Sequence, residues 1–161
     1  MAFKVGNILD QYKCTQVYDA LDSGNNRLAI GKADELINGN NSAQLARALK
    51  SVALVRIGAF TEAGRVCDDI FKGRVEVTMI KPLSVVLPWI DRLPQLAELL
   101  VAASEASPKD EELADDAVGA LVKAKMYQRA LQELLRRIRV SRNPRHFWRY
   151  VQVSLLHVSC C

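Results

Sequence analysis

The chain repeats itself about every 34 residues, and this constrains its fold more than any other feature. Gly24 and Gly58 lie 34 residues apart in comparable settings. After Gly24 the chain runs N-N-R-L-A-I-G-K-A-D-E-L-I, and after Gly58 it runs A-F-T-E-A-G-R-V-C-D-D-I-F. Superposed, Ala29 falls on Ala63, Ala33 on Cys67, Leu36 on Ile70 and Ile37 on Phe71. A further step of 34 reaches Ala97 in RLPQLAELLVAASEASP, with Val101 at the Cys67 position. A step of 33 then reaches Ala130 in KMYQRALQELLRRI, followed by Leu134 and Ile138.

Within each copy the apolar residues keep helical spacing. The second half of each copy carries Leu28, Ala29, Ala33, Leu36; Phe60, Ala63, Cys67, Ile70; Leu93, Leu96, Ala97, Leu100; and Tyr127, Ala130, Leu131, Leu134, Ile138. First halves are periodic too, with Leu45, Leu49, Val52 and Ala53 on one face and Leu113, Ala117, Ala120, Leu121 and Ala124 on another. The alanines mark places where paired helices approach closely. A 34-residue unit of two helices and a tight turn is the tetratricopeptide repeat. The expectation is therefore an all-α, tetratricopeptide-like helical-repeat solenoid of about four helix pairs plus a final helix. Its repeats are expected at 10–43, 44–77, 78–110 and 111–143, after a tail over 1–9 and before the start of a further helix over 144–161.

Local signals agree. Gly24 frees the backbone for a turn, and Asn25-Asn26 start the helix after it. Ser107-Pro108 followed by Asp110 predicts a helix start with proline in its first turn. Asn143-Pro144 separates two helices. Pro82 and Pro88 fall in the first helix of the third copy, which is expected to be short or kinked.

Half of the 161 residues are hydrophobic, a quarter are charged and the net charge is +4. That is ordinary globular composition, and the charge permits acidic partners without arguing for them. The start MAFKVGNILDQYKC has no apolar signal-peptide region, and VTMIKPLSVVLPWI is too short and too interrupted to span a bilayer. No membrane partner is expected, and the predicted location is cytoplasmic. Cys14, Cys67, Cys160 and Cys161 form no C-x-x-C pair, so neither a zinc site nor a disulfide framework is expected. Cys160-Cys161 alone is a weak metal or redox candidate.

Catalytic signatures are missing: no G-x-S-x-G, no H-E-x-x-H and no glycine-rich loop followed by Lys-Ser/Thr. Asp110, Glu111, Glu112, Asp115 and Asp116 crowd a helix start, where acids favour the dipole without catalytic purpose. His146 reads as a surface or inter-helix residue. No catalytic residue, cofactor, metal or small-molecule substrate is predicted.

One basic stretch, LLRRIRVSRNPRHFWRY, supplies candidate contacts. Arg136, Arg137, Arg139, Arg142 and Arg145, with Arg149 beyond, could meet RNA phosphates or an acidic partner while aromatic residues stack. The plainer expectation is that these arginines are hydrated near a helix end, and that Phe147 and Trp148 pack in the core of the next helix.

The segment Tyr18-Asp19-Ala20-Leu21-Asp22-Ser23-Gly24-Asn25-Asn26-Arg27-Leu28-Ala29-Ile30 resembles the N-terminal repeat of the auxiliary subunits of N-terminal acetyltransferase B (NatB), Y-D-x-L-D-x-G-N-N-[RK]-x-A-I. Ala33-Asp34-Glu35-Leu36-Ile37 is similar to the A-D-x-L-[IL] element that follows there. Residues 48–58, ALKSVALVRIG, resemble the family's L-K-A-[IV]-[AG]-L-x-R-x-G helix, and Asn143-Pro144 with Phe147-Trp148 is similar to its N-P-x-x-F-W. The resemblance covers most of residues 17–150.

It implies a non-catalytic scaffold that wraps a small catalytic N-acetyltransferase and associates with ribosomes. The catalytic partner binds acetyl-CoA and modifies nascent chains beginning Met-Asp, Met-Glu, Met-Asn or Met-Gln. This chain lacks the R/Q-x-x-G-x-G/A loop of that chemistry. The family's proteins are several times longer, so a fragment or a shortened product is expected. The ending VQVSLLHVSCC, within an apolar helix, should expose Val151, Leu155 and their neighbours.

Two other readings compete. A free-standing adaptor for a protein or peptide is one; against its usual carboxylate clamp, the corresponding positions hold Cys14, Tyr18, Leu49, Met79 and Leu83. An RNA-binding repeat is the other, and no recurrent polar code for bases is present.

Overall fold

The computed structural model describes residues 12–39, 43–73, 75–141 and 143–159. Nine α-helices occur among them: α1 (Thr15–Asp22), α2 (Asn26–Gly39), α3 (Gln44–Arg56), α4 (Phe60–Lys72), α5 (Ile80–Trp89), α6 (Leu93–Ala106), α7 (Glu111–Lys123), α8 (Tyr127–Ser141) and α9 (Pro144–Ser159). A 3-10 turn, Val77–Met79, leads into α5. The architecture is all-α and helical-repeat. The chain forms two compact units, Met1–Arg92 and Leu93–Cys161. The expected tail, Arg142 and Cys160-Cys161 lie outside the described residues.

In the first unit α3 is the centre. It packs on α1, α2, α4 and α5, and nine of its 13 residues are buried. A helix apolar nearly all round is the kind that neighbours cover on several sides. Ala29, Ala33 and Ala63 are fully buried, as close helix approach requires. Leu28 and Phe60, expected on the same inward faces, are exposed instead. Leu28 is one residue off the alanine stripe, which turns it about 100° away. Phe60 begins α4 and stacks on Trp89 at a ring separation of 6.5 Å. Lys50 ties three helices, with its Nζ 2.8 Å from Asp34 and 3.9 Å from Glu62. Arg92 donates to Asp68 at 2.6 Å, and that bond holds the Asp68 carboxyl below its usual range. With Pro82 and Pro88 inside it, α5 has ten residues where α3 and α4 have 13.

In the second unit α6 packs on α7, and α8 packs on α7 and α9. Asp110 caps α7, its side chain accepting from the Leu113 N–H at 3.0 Å. Pro108 precedes that cap rather than sitting in the first helical turn. Asn143 Oδ1 accepts from the Arg145 N–H at 3.0 Å, and Pro144 opens α9 where its missing N–H costs nothing. At the other end of the chain, Asn25 Oδ1 accepts from the Leu28 N–H at 3.2 Å and caps α2.

The repeat is most regular in its turns. Among the described residues four have left-handed backbone: Gly24 (φ 75°), Gly58 (φ 81°), Asp91 (φ 58°) and Lys125 (φ 58°). They recur at steps of 34, 33 and 34 residues. The last three close their helices alike. Ala59, Arg92 and Met126 each donate an N–H at 2.9 Å to the carbonyl five residues back, on Leu54, Leu87 and Leu121. Gly58, Asp91 and Lys125 donate to the carbonyls three residues back. This nested pair is the Schellman motif, which satisfies orphan carbonyls at the cost of one left-handed residue.

Candidate interaction surface

The basic stretch lies on α8 and α9, and the structure divides it. The inward face of α8 carries Ala130, Glu133, Leu134 and Arg137. Arg137 is 1% exposed. Its Nη1 donates to the Pro108 carbonyl at 2.8 Å and its Nη2 to Ser104 Oγ. Arg137 Nε lies 3.4 Å from Glu133 Oε1, close enough for charge attraction but without a hydrogen bond. Ser104 Oγ donates to the same carboxylate at 3.3 Å. Arg137 is therefore removed from the candidate contact set, because it is buried and both its Nη groups bond inside the protein.

Arg136 is half-buried beside it. Its Nε donates to Glu133 Oε2 at 2.9 Å and its Nη2 to Ser104 Oγ at 3.2 Å. The bond to Glu133 raises the Arg136 pKa, so its charge is permanent. Arg139 is exposed and makes no ion pair among the described residues. Arg145 is exposed, with Nη1 3.6 Å from Asp115 Oδ2, while Arg149 donates to the other oxygen of Asp115. The acidic helix start thus has structural uses: Asp110 caps, Glu111 accepts from Asn143 Nδ2 at 3.3 Å, and Asp115 pairs with arginines.

The aromatic expectation is reversed. Phe147 is 54% exposed and Trp148 66%, meeting edge to face at 6.1 Å. His146 is buried instead, and neither ring nitrogen has a hydrogen-bond partner. His146 and Val153 are seven residues apart on one helix face, and that face packs inward. Phe147 and Trp148 follow His146 at about 100° and 200° round the helix, so they point away. Arg139 on α8 and Arg145, Phe147 and Trp148 on α9 are therefore each exposed. Further along α9, Leu155 is exposed and Val151 half-buried.

Among the described residues no group of three His, Cys, Asp or Glu is arranged to hold a metal ion. Cys67 is fully buried, and burial pushes its thiol up to about 11, which keeps it protonated at neutral pH. No helix among the described residues is long and apolar enough to cross a membrane.

What the fold defines is a helical-repeat protein. Residues 11–160 match the family described as "Psidin, N-terminal TPR repeats region", and the chain belongs to that family. The human and rat proteins named "N-alpha-acetyltransferase 25, NatB auxiliary subunit" are each 26% identical over 147 residues, which is 89% of this chain. "Phagocyte signaling-impaired protein" of Drosophila pseudoobscura pseudoobscura is 27% identical over 139 residues, 85% of this chain. The chain spans about 15% of the length of the curated relatives it matches. The resemblance to NatB auxiliary subunits drawn from D-S-G-N-N and the later elements is thereby upheld.

Proposed function

We propose that this chain is a non-catalytic scaffold, the N-terminal helical-repeat part of a NatB-type auxiliary subunit. It holds a small catalytic N-acetyltransferase and brings it to the ribosome in the cytoplasm. There the complex acetylates nascent chains that begin Met-Asp, Met-Glu, Met-Asn or Met-Gln. The observation that carries this reading is the family match across residues 11–160. The absence of an acetyl-CoA loop in the sequence supports a supporting rather than a chemical role. The exposed Arg139, Arg145, Phe147 and Trp148 are the residues assigned to ribosomal contact.

Co-expression with the small acetyltransferase tests the scaffold role. A complex that survives gel filtration is expected; failure to co-purify refutes it. Ribosome contact is tested by co-sedimentation at low salt, where phosphate contacts are strongest. The Arg139→Glu, Arg145→Glu double variant should lose sedimentation while keeping its helical signal. Unchanged sedimentation removes this surface from the proposal.

A further inference from the structure

Helix α9 is apolar on two opposite sides. His146 and Val153 form the side that packs inward. On the other side Trp148, Val151, Leu155 and Val158 recur at steps of three, four and three residues. Trp148 and Leu155 are each 66% exposed and Val158 75%, with Val151 half-buried. Each of the four lies about 140–160° round the helix from Val153, so the outer stripe does not compete with the inward one. Steps of three and four in alternation are the seam of a coiled coil, along which one helix packs on another at a shallow angle. Gln152 and Ser154 border the stripe and keep it narrow.

Reversed, the seam is complementary to itself. Trp148 and Val158 lie five residues either side of Val153, and Val151 and Leu155 two either side. A second α9 running antiparallel therefore sets Trp148 against Val158 and Leu155 against Val151. Each pair joins a larger side chain to a smaller one, as a two-fold interface requires. Charge selects the same direction. Helix α9 carries two arginines and no acid, and both Arg145 and Arg149 lie in its N-terminal half. A parallel copy would bring these like charges together. An antiparallel copy sets them beside a half without lysine or arginine and near the negative end of the partner helix dipole.

We propose that α9 is a self-association surface, through which two copies of this chain pair antiparallel by Trp148, Val151, Leu155 and Val158. Sixteen residues give a contact about 24 Å long, which suits a reversible dimer rather than an obligate one. The inference goes beyond the scaffold reading and does not depend on it. Trp148 serves one partner at a time, so the dimer and ribosomal contact exclude each other at that residue.

Sedimentation equilibrium of the full 161-residue chain tests the proposal. A dimer with a Kd of about 10–100 μM is expected. Leu155→Glu should weaken it about a hundredfold with the helical circular dichroism unchanged, since the side chain is exposed. Trp148→Glu and Val158→Lys should each weaken it likewise. Combined in one chain, they should restore association to within about tenfold of the unaltered protein, because each new acid then faces the partner's new base. In a parallel pair each would face its like, and nothing would be restored. The proposal is overturned if the unaltered chain stays monomeric up to about 200 μM, more than ten times the tighter limit of that range. It is also overturned by a dimer indifferent to Leu155→Glu, by no recovery in the double variant, or by a monomer that floats with phosphatidylserine vesicles through the same four residues.

Discussion

Seven residues beyond its close-packed alanine, α4 carries Ile70, and at the same repeat position α8 carries Arg137. Both are buried. Across the four copies the position holds Leu36, Ile70, Ser104 and Arg137. The first unit fills it with hydrocarbon. The second fills it with a serine and an arginine that bond to each other, backed by Glu133 and the Pro108 carbonyl. One backbone register thus accepts two opposite chemistries, provided a polar occupant finds its partner in the neighbouring copy. An unpaired charge there would be expelled or would unfold the unit.

The strongest way to break this comparison is Arg137→Ala. It opens a cavity and leaves the Pro108 carbonyl without its donor, while Arg136 still bonds Glu133 and Ser104, and should destabilise the chain by about 2–4 kcal/mol in denaturant titrations. Replacing the group together, Arg137→Leu with Ser104→Ala and Glu133→Gln, should recover most of that loss. A single variant costing under about 1 kcal/mol would show that the network is not a stability element.

Turns provide the next contrast. At Gly58 an added Cβ meets nothing within 4 Å, so Gly58→Ala tests the left-handed backbone alone. It should cost about 1–2 kcal/mol. Lys125 occupies the same conformation with a side chain, and Lys125→Gly should gain about 0.5–1 kcal/mol in the same assay. Effects of opposite sign would support a shared turn geometry. No loss in Gly58→Ala would contradict it.

The smallest effect at neutral pH comes from Cys67, whose counterpart in α8 is Leu134. The Cys67 thiol titrates near 11 in the fold against an ordinary 9.0. Its contribution is therefore complete below about 9 and is lost as pH rises toward about 11. Stability measured across that window should fall more steeply in the unaltered chain than in Cys67→Val. Identical slopes would mean that the thiol is not protected by burial.

Helices and their pairing were legible because apolar spacing and chain pitch are local signals that burial enforces. Gly24 and Gly58 announced two of the turns. Asp91 and Lys125 did not, since neither residue type advertises a left-handed conformation; the helix-end hydrogen bonds imposed it. Leu28, Phe60, Phe147 and Trp148 looked inward because a stripe of large apolar residues is the usual mark of a core. Alanine took the inward place in α2 and α4, and histidine took it in α9. The buried arginine left one trace in the sequence: a repeat position that changes from apolar to polar in two successive copies at once.

By itself, the sequence determined the repeat length, the all-α class, the caps and the family, because each is written in spacing or in short ordered motifs. Tertiary structure decided which of several adjacent arginines is buried and which is offered to solvent. Arg136, Arg137 and Arg139 are chemically alike and lie within one helical turn. What separates them is Ser104 and the Pro108 carbonyl, about thirty residues away in the chain, which are adjacent to Arg137 only once the helices have packed. Desolvation is tolerable only where such partners converge, and no local pattern records that convergence.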